Sequence, residues 1–142
     1  MNFDAQVADL ERHVQTMKSS VAAATAENHQ QLQQRINEAH AATDKALDSA
    51  KQRTDAAAGQ AQGSWDQMHS DARKKAAEIK AKAQHRQGQI DAKVAENDAE
   101  WAESDAQIAV NYADWAIENA RLAMLDAMDA RVTANDKKKA LA

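Results

Sequence analysis

GQAQGS, residues 59–64, holds two of the three glycines in a 142-residue chain that has no proline. Glycine adopts the left-handed backbone that ends helices, so this is the one cluster of turn signals in the sequence. Ser64 with Gln67 has the spacing of a capping box, which starts a new helix just behind it. The stretch therefore predicts a turn over 59–64, with helix 1 at about 4–58 before it and helix 2 at about 65–135 after it. Gly88, the third glycine, falls within helix 2 with no proline beside it. The helix is expected to run through it, with at most a soft point there.

Outward from the turn, the apolar residues repeat on both sides. Helix 1 begins in heptad-like steps of three and four with Val7, Leu10, Val14, Met17 and Val21. It continues in elevens through Leu10, Val21, Leu32, Thr43 and Thr54. Helix 2 carries the same ladder at Met68, Ile79, Ile90, Trp101 and Tyr112. Eleven residues in three turns is about 3.67 residues per turn, the period of straight or slightly right-handed helices. Folding the chain about residue 61 sets residue i beside residue 122 − i. Val7 then meets Trp115, Leu10 meets Tyr112, Val14 meets Ile108, Val21 meets Trp101, and Leu32 meets Ile90. These ten residues form the expected hairpin core. The fold class is all-α: one elongated helical domain over 1–142, a long antiparallel, coiled-coil-like hairpin with arms of about 80 Å.

Helix 1 has nothing left to pair beyond residue 121, yet Leu122, Met124, Leu125, Met128 and Val132 continue the apolar pattern. Such an overhang would leave a large exposed patch, which marks an interaction site. A second feature points the same way. Val94, Trp101, Ile108, Trp115 and Leu122 stand seven apart, while Ala102, Ala106, Ala109, Ala113, Ala116 and Ala120 lie about 120° around the helix at 100° per residue. The bulky line is expected to face helix 1. The alanine line, rimmed by Val110, Ile117 and Met124, would admit another helix at close range. Ala102, Ala106, Ala109, Ala113, Ala116, Ala120, Ile117, Met124, Leu125 and Met128 are thus the expected oligomer interface of a homo-oligomeric helical bundle, with a protein partner at the overhang as the other option.

Composition removes most other classes. Alanine, Gln, Glu, Lys and Asp dominate, and Val, Ile, Tyr, Phe and Thr never cluster, so strands are not expected. A net charge of −4 argues against a nucleic-acid binder. The basic stretch 71–93 has Lys75, Lys82, Arg86 and Lys93 along one edge of the apolar stripe, but no interleaved aromatic on which bases could stack. Cysteine is absent, the N-terminus has no secretory pattern and no apolar run reaches membrane-spanning length, so a cytoplasmic location is expected. In the hairpin register His40 and His85 fall within about a turn of each other, with Glu38 nearby. The five histidines still read as solvent-facing polar residues, and Glu96, Asp98, Glu100, Glu103 and Asp105 as a solvated acidic face. No metal or cofactor is assigned. The sequence has no glycine-rich phosphate loop, nucleophile elbow or Ser–His–acid set, so no catalytic residue and no enzyme activity is expected.

DARKKAAEIKAKA (71–83), with its eleven-residue period, resembles the group 3 late-embryogenesis-abundant proteins and, more loosely, the exchangeable apolipoproteins. The first likeness implies protection of membranes and proteins under drying, the second coating of lipid surfaces. The apolipoprotein pattern is punctuated by proline, which this chain lacks. The residues themselves favour a non-enzymatic scaffold or assembly module acting through self-association. The amphipathic stress-protective or lipid-coating protein is the alternative. Contact with a membrane surface is disfavoured because an alanine- and threonine-rich stripe buries little area per turn.

Overall fold

The computed structural model describes residues 3–55, 59–86 and 88–141, all of them helix or short connection with no strand. Four helices follow one another: α1 (Asp4–Ala24), α2 (His29–Asp55), α3 (Gly59–Arg86) and α4 (Ala92–Leu141). The all-α expectation holds. The two uninterrupted arms do not, because each is cut once.

The first cut falls at residues 25–28, inside the expected helix 1. Three terminal carbonyls of α1 find donors in the chain that follows. The Thr25 hydroxyl donates to Ala22 O at 2.8 Å, and the amides of Ala26 and Glu27 donate to Ala23 O and Ala24 O. Asn28 then starts α2 with a reciprocal capping box. Gln31 N donates to Asn28 Oδ1 at 2.9 Å, and Asn28 N donates to Gln31 Oε1 at 3.0 Å. Donors and acceptors are matched on both sides of the break, so a helix end costs little there. Glu27 closes the corner by pairing with Arg35 of α2. That hydrogen bond and charge raise the guanidinium above its ordinary value.

The second cut is at Gly88, where the helix was expected to continue. The Gly88 and Gln89 amides make three-residue turns to His85 O and Arg86 O, ending α3. Asp91 then caps α4, its Oδ1 accepting from the amides of Lys93 at 2.9 Å and Val94 at 3.1 Å.

The turn itself is also displaced. GQAQGS forms the first turns of α3 rather than a loop, and no described glycine has a positive φ. Glycine costs a helix about 1 kcal/mol relative to alanine, too little to stop one that packs along α2. Gln67, expected in a capping box with Ser64, instead donates to Asp71 Oδ1 one turn on. α2 ends at Asp55 and α3 begins at Gly59.

Moving the reversal moves the register. α2 and α3 run antiparallel, with Arg73 bridging Asp48 at 2.7 Å and Asp44 at 3.7 Å. Farther from the turn, Gln33 Nε2 donates to Ala83 O at 2.8 Å. The expected register set Ala83 beside Ala39, so the pairing has slid by six residues. Gln33 and Ala83 are the only two described residues that are buried, at 6% and 2% exposure. Ala83 carries one of the last four carbonyls of α3, a group that a helix cannot satisfy by itself. Gln33 therefore caps α3 from the neighbouring helix.

The helices fall into two units. One joins α1 as far as Thr16 with Asp91 and α4; the other runs Met17–Ile90 and contains the α2–α3 hairpin.

Candidate interaction surface

α4 is 50 residues of unbroken helix, about 75 Å long. No glycine or proline occurs over 92–141. Asp91 satisfies its first amides, and Lys138 and Lys139 lie in its last turn, where cations favour the helix dipole. A helix so long with no buried residue presents its side chains to whatever approaches.

The exposure around it is uneven. Asp98, Ala102, Asp105, Ala116, Asn119, Ala120, Met124, Ala127 and Ala134 are half-buried. At about 100° per residue all but Asn119 fall within about 100° of one another and so share a side. The tryptophan line lies to one flank and is open: Trp101 is 73% and Trp115 51% exposed, with Val94, Ile108 and Leu122 also exposed. The bulky line was expected to be the covered one; the alanine side is less exposed instead. Tyr112 and Trp115 lean together across one turn, ring centroids 5.3 Å apart and planes tilted by 42°. On the other flank Val110 is 59% and Ile117 47% exposed, and Leu125, Met128 and Val132 are open as well. Ala106, Ala109 and Ala113 lie on the same side as the half-buried positions but are exposed.

The remaining expected core residues have little cover. Val7, Leu10, Val14 and Val21 are exposed on α1, and Leu32 is half-buried on α2. Ile90, expected opposite Leu32, stands in the α3–α4 connection at 98% exposure. Ending α3 at Arg86 removed it from the helix that would have carried it inward.

The overhang has a neighbour within the chain. Phe3, Asp4 and Val7 line an open groove of about 410 Å³ with Arg121, Met124, Leu125 and Met128. Val7 was expected against Trp115, two to three turns nearer the start of α4. Phe3, the only phenylalanine, was not singled out in the sequence. The signal for it was its spacing of four from Val7, which puts both on one face.

Candidate chemistry finds no centre. No group of three His, Asp or Glu side chains able to hold a metal ion occurs among the described residues. His40 lies 3.5 Å from Asp44, one turn along its own helix. His69 Nδ1 is buried without a hydrogen-bond partner. Lys75 pairs with Glu78 at 3.9 Å, and no helix among the described residues is long and apolar enough to cross a membrane. Comparison with protein-family models finds no match, and neither does comparison with curated proteins or with solved structures.

Proposed function

We propose that this chain is a non-enzymatic structural protein, a helical assembly module that works by self-association through the 94–134 surface of α4. The supporting observation is the exposure of Val94, Trp101, Ile108, Val110, Trp115, Ile117, Leu122, Leu125, Met128 and Val132 along one helix. Full burial of a side chain of this size contributes about 1.5–3 kcal/mol, and Ala83 is the only apolar residue buried among those described. The free energy that these two flanks can release on contact with other helices is large beside what the described residues gain from their own packing. Partner helices of the same kind are always at hand in a homo-oligomer, which is the reason for preferring self-association over a different partner.

The competing picture, a chain that orders only on lipid or in the dry state, makes an opposite forecast. Dilute protein without lipid is expected to give the circular dichroism of a largely helical chain. A coil spectrum that turns helical only on vesicles or on drying would overturn the proposal. Ala113→Trp, on the exposed part of the alanine side, is expected to reduce the assembled mass with helix content unchanged. An unaltered mass would place the contact on another side of α4.

A further inference from the structure

We propose that α4 pairs with α4 of a second copy of this chain in antiparallel orientation, along a seam centred near Ile117. This rests on the self-association reading above and adds to it the face, the direction and the register.

The seam is a strict seven-residue pattern. Ala99, Ala106, Ala113, Ala120, Ala127 and Ala134 hold one position of it. The position three residues earlier carries Val110, Ile117 and Met124 in the middle, Glu96 and Glu103 before them, and Arg131 and Lys138 after them. Two positions alternating by three and four make one stripe that faces a partner helix. Val110, Ile117, Ala106 and Ala113 are exposed on this stripe. The stripe is open from Glu96 to Ile117, and Arg131 and Lys138 are exposed beyond it; Ala120, Met124, Ala127 and Ala134 are half-buried, with Met124 bordering the groove that Phe3 and Val7 line.

The charges choose the direction. Side by side in parallel, Glu96 and Glu103 would each meet their own copies, and so would Arg131 and Lys138. Turned antiparallel about Ile117, Glu103 comes opposite Arg131 and Glu96 opposite Lys138, and the two-fold axis makes each pairing twice. Among the described residues none of these four side chains has an ion-pair partner, whereas Arg121 pairs with Glu118 on the same helix. In this register Val110 comes opposite Met124 and Ile117 opposite its own copy, so the apolar middle of the stripe meets itself, and the alanines between these layers let the axes come to the short end of the 8–10 Å range.

The chain has no cysteine, so single cysteines placed in the full-length protein report neighbours through a short thiol cross-linker. Ile117→Cys is expected to cross-link to itself. Glu103→Cys and Arg131→Cys are each expected to stay uncross-linked alone and to cross-link when mixed. A second measurement does not depend on cysteine. Glu96→Lys with Glu103→Lys is expected to weaken association on the order of 100-fold at low salt, as four attractions become repulsions. Adding Arg131→Glu and Lys138→Glu is expected to restore it. Glu103→Cys cross-linking to itself, or Ile117→Cys failing to cross-link in a protein of oligomeric mass, would overturn the antiparallel seam while leaving self-association intact. A monomeric mass for the unmodified chain would overturn both.

Discussion

Gln33 shows how one polar side chain can set the register of two helices. A buried amide without a partner costs about 1–3 kcal/mol, and Gln33 avoids that cost by donating to the Ala83 carbonyl. A slide of one residue between α2 and α3 would strand both groups. Gln33→Ala is expected to destabilise the hairpin by about 1–3 kcal/mol and to speed amide exchange near the end of α3. Unchanged thermal unfolding and exchange would show that Gln33 is dispensable. This role was not legible in advance, since Gln33 sits among Gln30, Gln31 and Gln34 and glutamine on a helix reads as surface. Ala83 was equally silent, being one alanine of many. The Arg73 bridge to Asp44 and Asp48 ties α3 to α2 across the same pair of helices.

At the level of the element, helix content was legible and helix ends were not. Absence of proline and scarcity of β-branched residues leave little but helix, and the structure is helical throughout its four elements. The apolar ladder, however, runs through positions 25–28 and 88–91 without a change of period, so periodicity alone could not show either break. The signals were local: Asn28 with Gln31 three residues on, and Asp91 ahead of the Lys93 and Val94 amides. Asn28 lies among residues of a continuous apolar period, and its capping chemistry does not show in that period. GQAQGS erred in the other direction, because two glycines weigh only about 2 kcal/mol against a helix with a packing partner. Asn28→Ala and Asp91→Ala are each expected to cost about 1 kcal/mol. Each should also raise exchange at the amides it caps, Gln31 in the first case and Lys93 and Val94 in the second. Protection unchanged at those amides would mean that the breaks are held by something other than the caps.

For the whole molecule, the central fact is how little the chain buries and how much apolar surface α4 leaves open. Helix was legible; a single register about residue 61 was not, because each break resets the phase of everything beyond it and the contact between α2 and α3 has its own register. Phe3 and Val7 thus share a groove with Met124, Leu125 and Met128, a neighbourhood no single register about residue 61 could give. The tryptophan and Val110–Ile117 flanks remain without cover, and the proposed function follows from that. The most direct measurement is the mass of the unmodified chain by sedimentation over a wide concentration range. The account predicts a dimer or larger species that dissociates toward 15.5 kDa on dilution; a strict 15.5 kDa monomer at every concentration would contradict it.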